Sequence, residues 1–137
     1  MLKENKLTVR IKKLPKDVFE FTINPKNTPK WLEMIKSEET NEWPIKVGTK
    51  YRNKRKDGEW TEYIVTVLES NKLFEIKSAD GNYHTRYTYK RFEDGTELEY
   101  YEWVDKGEID SPFMIDILDK LKKLSSCNGT FQAQSSF

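Results

Sequence analysis

The chain has 137 residues, enough for one domain with a sizeable core, and 34% of them are charged, yet 24 Lys+Arg against 23 Asp+Glu leave a formal net charge of only +1. A dedicated nucleic-acid-binding domain is ordinarily more basic, and the lone Cys127 rules out an internal disulfide framework or a cysteine-rich metal site. Hydrophobic residues make up 36% and aromatic ones 13%, so the core depends on Phe, Tyr and Trp.

The first predicted element is a strand at Leu7–Ile11, in "KLTVRIKKL". Pro15 then opens a helix, with Asp17 in its first turn where a carboxylate suits the helix dipole, and Asn24–Pro25 closes it. Thr28 is expected to cap a second short helix opening at Pro29, with Trp31, Leu32 and Ile35 on its apolar side. A strand at Ile35–Thr40 follows. Between Thr49 and Val104 the chain reads as five antiparallel strands, separated by Asp57–Gly58, a turn near Ser70–Lys72, Asp80–Gly81 and Asp94–Gly95. Ser111–Pro112 is expected to cap a last helix whose apolar side carries Phe113, Met114, Ile117, Leu118, Leu121 and Leu124. The division is a single domain over residues 1–124 and an uncharged tail, "SSCNGTFQAQSSF", expected to be poorly ordered over 125–137.

Reading each Asp-Gly pair as a two-residue loop fixes the cross-strand register. Around Asp94–Gly95, Lys90 then faces Glu99, Tyr89 faces Tyr100 and Tyr87 faces Glu102. Around Asp80–Gly81, Glu75 faces Arg86 and Phe74 faces Tyr87; around Asp57–Gly58, Arg52 faces Tyr63 and Tyr51 faces Ile64. Arg86 and Lys90 fall on an outer, charged side. Phe74, Ile76, Tyr87, Tyr89, Leu98 and Tyr100 fall on an inner, aromatic one. The same register points Glu102 inward beside Tyr87, and Asn53 and Glu62 inward beside Tyr51 and Ile64. Arg55 and Trp60 share that face near the hairpin tip. Val65 and Val67 come out on the outer side unless a bulge intervenes.

With these elements in order, the sequence resembles the helix-grip fold of the START and birch-pollen-allergen (SRPBCC) superfamily, particularly its polyketide cyclase/dehydrase-like branch. Pro15, Val18 and Phe19, then Asn24, Pro25 and Asn27, then Pro29 and Trp31 resemble its N-terminal "P-x-x-V-[FW]", "D/N-P-x-N" and "P-x-W" signature. "VGTKYR" (47–52) is similar to its "G-x-G-T" strand entry, with Val47 at the first glycine, and "DGTELEY" (94–100) to its "G-G-T-x-[LV]" hairpin. The resemblance implies an α+β fold in which a seven-stranded antiparallel curved sheet wraps a long C-terminal helix, with two short helices after the first strand. It also implies a cavity between sheet and helix that often holds an apolar ligand, lipid-, polyketide- or isoprenoid-like.

Two readings of the inner aromatic face stand side by side: a packed core, or the wall of a ligand cavity. Inward polar groups favour the cavity, because a buried carboxylate is costly unless paired or hydrogen-bonded. The candidate ligand-binding residues on the sheet are Tyr51, Glu62, Ile64, Phe74, Tyr87 and Tyr89, with Leu98, Tyr100 and Glu102. Phe113, Met114 and Ile117 face them from the last helix. Glu102, with Tyr87 or Tyr89 as its donor, is the acid/base candidate for a cyclase- or dehydratase-like reaction, beside a purely structural role. His84 falls on the charged face opposite Lys77 as a solvated residue. The residues carry no catalytic triad, metal-spaced cluster or phosphate-cradling glycine loop, so neither cofactor nor metal is expected.

The run Lys50, Arg52, Lys54, Arg55, Lys56 alternates along a strand and reads as a solvated face rather than a nucleic-acid surface. The competing class is a protein-interaction module, like the superfamily's chaperone-ATPase-activator branch, anchored by Tyr101 and Trp103 unless Arg86 covers them. No apolar run approaches the roughly 20 residues that span a bilayer, and "MLKENK" lacks a secretory pattern, which sets the expectation of a cytoplasmic protein without membrane insertion. Monomer and homodimer both remain open.

Overall fold

The structure, a computed structural model, describes residues 2–126. β1 (Glu4–Ile11) leads into α1 (Pro15–Ile23), α2 (Thr28–Trp31) and β2 (Ile35–Thr40). Then come β3 (Lys50–Arg55), β4 (Trp60–Glu69), β5 (Leu73–Ser78), β6 (Tyr83–Phe92), β7 (Gly95–Val104) and α3 (Ile115–Ser126). The strands form one seven-stranded antiparallel sheet in the order β1-β7-β6-β5-β4-β3-β2. α3 runs past the expected boundary at residue 124, and the tail expected to be poorly ordered lies, from residue 127 on, outside the described residues.

α1 and α2 owe their break to Asn24, whose extended backbone (φ −77°, ψ 115°) precedes Pro25 and ends α1. Three hydrogen bonds fix the broken pair. The Thr22 and Tyr89 hydroxyls meet at 2.6 Å, Tyr51 Oη donates to the Ile23 carbonyl at 2.6 Å, and Asn27 Nδ2 donates to the Phe21 carbonyl at 3.1 Å. Thr28 is not the cap expected of it. It lies inside α2, behind an Asn27 N-cap, and its hydroxyl donates to Glu38 instead. α3 likewise starts at Ile115 rather than at Ser111–Pro112, because the backbone of Phe113 is already engaged: its N–H goes to Glu102 (2.7 Å) and its carbonyl accepts from Asn5 (2.9 Å).

Loop length decides which registers survive. The β5–β6 turn is centred where expected, and Glu75 faces Arg86 while Phe74 faces Tyr87. The β6–β7 turn is Glu93–Asp94, with Glu93 at φ +53°, so Phe92 pairs with Gly95 and Tyr87 with Tyr100. That is a slip of two residues, which preserves the faces. Gly95 sits in β7 because a Cβ there would lie 2.3 Å from the Ile11 carbonyl oxygen, so the glycine serves the close approach of β1 rather than the turn.

The β3–β4 loop has three residues, not two. Gly58 (φ +94°) donates to the Arg55 carbonyl and Arg55 donates to the Glu59 carbonyl, the pattern of a type I turn closed by a glycine bulge. This odd slip sets Tyr51 opposite Tyr63 and Arg52 opposite Glu62. Tyr63 therefore turns inward, and Glu62, Ile64 and Trp60 turn outward, opposite to their expected facing. Val65, on the same side as Tyr63, thereby falls in the core (1% exposed), and a bulge at Thr66 leaves Val67 opposite Glu75 on the outer side.

Candidate functional site

The inner face of the sheet has two unlike ends. At one, Val9, Ile11, Tyr89 and Leu98 are buried against Phe19 and Phe21 of α1 and Leu118 and Leu121 of α3, and this end is closed. At the other, the inward residues Thr61, Tyr63, Ile76 and Tyr83 are only half-buried, as is Phe113 ahead of α3. Met34, Met114 and Ile115, in the approach to β2 and at the start of α3, are exposed. Strand alternation points side chains inward at both ends; α1 and α3 pack over the first, whereas the second is covered only in part, by α2.

Glu102 lies deep on the inner face, at 0% exposure, and four donors hold it. Tyr83 Oη (2.5 Å) and Tyr100 Oη (3.4 Å) donate to Oε1; Asn5 Nδ2 (2.9 Å) and the Phe113 N–H (2.7 Å) donate to Oε2. Neither Tyr87 nor Tyr89 is among them, contrary to expectation. Tyr89 is engaged by Thr22, and Tyr87 lies between Trp31, Phe74 and Tyr100, with its phenol pushed well above the ordinary range by burial. A carboxylate with three close donors and a long contact from Tyr100 is a structural tie between β1, β6, β7 and the start of α3. It has little capacity left for acid/base work.

The open end carries a second inward carboxylate, which the sequence reading missed. A bulge at Lys36 in β2 brings Glu38 onto the inner side opposite Asn53. Glu38 Oε1 accepts from Thr28 Oγ1 at 2.5 Å, and Oε2 accepts only a long 3.4 Å contact from Asn53 Nδ2. Thr61 in turn donates to Asn53 Oδ1. Partial burial pushes the Glu38 carboxyl up to about 7, against the lowering effect of its two hydrogen bonds. Its charge acts on the phenols of Tyr51, Tyr63 and Tyr87, making each harder to ionise.

Trp31 is the other unpredicted member. It follows Thr28 by three residues on the same side of α2 and is 2% exposed, with its ring edge-on to Tyr87 (6.4 Å) and Phe113 (6.3 Å). Its indole Nε1–H has no acceptor among the described residues. A buried N–H without a partner costs about 1–3 kcal/mol, which native proteins seldom leave uncompensated.

Of the expected site residues, Phe74, Tyr87, Tyr89, Leu98, Tyr100 and Tyr51 are buried on the inner side, and Ile117 packs against them from α3. Phe113 stacks on Tyr100 at 4.1 Å. Met114 is exposed at the rim. Glu62 sits on the outer face, where Lys50 reaches it at 3.8 Å. His84, expected to be solvated, stacks on Trp103 (4.7 Å, 5° between planes) and meets Asp105 at 3.0 Å. Tyr101 and Arg86 cover the rest of Trp103, and the basic run of β3 is largely paired, Arg52 with Glu39 and Arg55 with Asp57.

A separate cleft of about 640 Å³ opens where the end of β1, the β6–β7 turn and α3 meet. None of Glu38, Trp31 and Glu102 lines it. Its cations Arg10, Lys12, Lys122 and Lys123 stand beside Glu93, Asp94 and Asp119, and Arg10 is already stacked on Phe92. Among the described residues no group of His, Cys, Asp and Glu side chains is arranged to hold a metal ion, and no helix is long and apolar enough to cross a membrane.

No family model and no curated protein matches the sequence. Solved structures do match. Aha1 from Colwellia psychrerythraea, determined as a dimer in solution, superposes with a TM-score of 0.67 over 90% of this chain and 96% of its own, at 17% identity. Ara h 8.0201 gives 0.61 over 89% and 88%, at 15% identity. The di-domain ARO/CYC BexL from the BE-7585A biosynthetic pathway gives 0.59 over 74% of this chain and 35% of its own, at 22% identity. Identities this low establish shared fold. The curved seven-stranded sheet, the short helix pair after β1 and the C-terminal helix are the helix-grip fold that these structures share.

Proposed function

We propose that this protein binds a small amphipathic molecule, lipid-, polyketide- or isoprenoid-like, at the open end of the sheet. Its apolar body lies along Trp31, Tyr63, Ile76, Tyr87 and Phe113. The observation that carries this reading is the buried Trp31 indole N–H, which has no acceptor among the described residues. An oxygen on a bound molecule supplies that acceptor. The half-buried inner residues and the exposed Met34, Met114 and Ile115 supply a way in, thioethers being adaptable apolar contacts. The kinship in fold with a biosynthetic ARO/CYC protein agrees with a site for an apolar small molecule.

The geometry of the described residues favours neither competing reading. Glu102 is held by three close structural donors, and Trp103, the expected anchor for a protein partner, is partly covered by its neighbours. The test is a titration of the neutral fluorophore N-phenyl-1-naphthylamine into the full-length protein. Saturable binding is expected, lost when Ile117→Trp fills space beside α3. Absence of binding, or binding indifferent to Ile117→Trp, counts against a site at this end of the sheet.

A further inference from the structure

Two carboxylates face the interior, and their unequal hydrogen bonding points to a head group. Glu102 has three close donors, one on Oε1 and two on Oε2, and a long contact from Tyr100. Glu38 has one good bond, from Thr28, and one long contact from Asn53, although each carboxylate oxygen can accept two. Glu38 therefore keeps acceptor capacity, and Trp31, one turn along from Thr28, has no acceptor for its indole N–H among the described residues. A carboxylate head satisfies only the donor. An ammonium satisfies only the acceptor. A hydroxyl, donor and acceptor at once, suits both.

We propose that Glu38 and Trp31 form the polar anchor of this site and that its ligand is an amphiphile with a hydroxyl-bearing head, which donates to Glu38 and accepts from Trp31 Nε1–H. The inference rests on the ligand-binding reading above and adds the chemistry of the head. The arrangement also disfavours acidic amphiphiles, since a second anion beside Glu38 is repelled in surroundings of low dielectric. Of the groups around the Glu38 carboxylate, Thr28 and Asn53 carry no charge, the phenols of Tyr51, Tyr63 and Tyr87 are raised and neutral at pH 8, and the cation Arg55, on the same side of β3, is paired with Asp57.

The test displaces N-phenyl-1-naphthylamine from the full-length protein at pH 8 with 1-decanol, decylamine and decanoate, which share one chain length and differ only in head. Decanol is expected to displace the probe at about a tenfold lower concentration than decanoate. That gap should shrink to about threefold or less in Glu38→Gln and survive in Glu38→Asp, while Trp31→Phe should weaken decanol and leave decylamine unchanged. If the wild-type protein does not bind the probe, the ligand-binding reading and the anchor fall together. If it binds the probe but decanoate competes as well as decanol, or the order is untouched by Glu38→Gln, the anchor alone is overturned. The wild-type order requires no variant, so a Glu38→Gln chain that fails to fold leaves that order and Glu38→Asp to decide.

Discussion

Glu102 and Glu38 point into the same interior from opposite parts of the sheet, and their surroundings set them to different work. Glu102, between Asn5 and the tyrosines of β6 and β7, uses its lone pairs to bind three strands to the start of α3. Glu38, on the edge strand β2, is half-buried and half-satisfied. The lesson is that inward direction does not make a carboxylate functional. Spare hydrogen-bonding capacity is what separates the two, and of this pair Glu38 has more of it.

The comparison can be broken from its structural side first. Glu102→Ala strips the acceptor from four donors at once and should cost about 3–5 kcal/mol, read from the midpoint of urea unfolding. A loss below about 1 kcal/mol would mean that the network is dispensable. Next, Leu98→Ala at the closed end should cost about 2–5 kcal/mol, whereas Ile76→Ala at the half-buried end should cost less than half as much, part of its surface never having been packed. Equal costs would erase the distinction between the two ends.

The pH dependence sharpens the other side. Because the Glu38 carboxyl is raised from 4.5 to about 7 in the folded chain, the folded state binds more protons than the unfolded one across that window. Stability should therefore fall as pH rises from about 5 to 8, by about 1–3 kcal/mol. Glu38→Gln should remove that part of the slope, measured as the difference between the two proteins in urea at each pH. Last and smallest, Tyr83→Phe should cost about 1–2 kcal/mol by removing a donor to Glu102, while Tyr87→Phe should cost under about 0.5 kcal/mol, since no hydrogen bond of Tyr87 is among those that hold the carboxylate.

Much of the fold was legible because alternation, proline placement and Asp-Gly turns act locally. The breaks at Pro15 and Asn24–Pro25, the strand at Ile35–Thr40 and the facing of Phe74, Tyr87, Leu98 and Tyr100 all follow from such signals. What escaped depends on single-residue events without a distinct sequence mark. A three-residue rather than two-residue loop at Gly58 moved Glu62 and Ile64 outward and Tyr63 inward. The bulge at Lys36 hid Glu38, which simple alternation from the buried Ile35 puts on the other face. The donors of Glu102 were out of reach for another reason: Asn5 is 97 residues away in the chain, and Phe113 contributes through its backbone.

The most direct measurement is a two-dimensional ¹⁵N–¹H NMR titration of the full-length protein with 1-decanol, following two side-chain N–H signals. The Trp31 indole resonance, assigned with Trp31→Phe, should move downfield and saturate as its free N–H gains an acceptor. The Asn5 side-chain amide, already held by Glu102, should stay in place. A Trp31 signal that does not respond, or an Asn5 signal that moves as far, would contradict the division between an open end built around Glu38 and Trp31 and a closed network around Glu102.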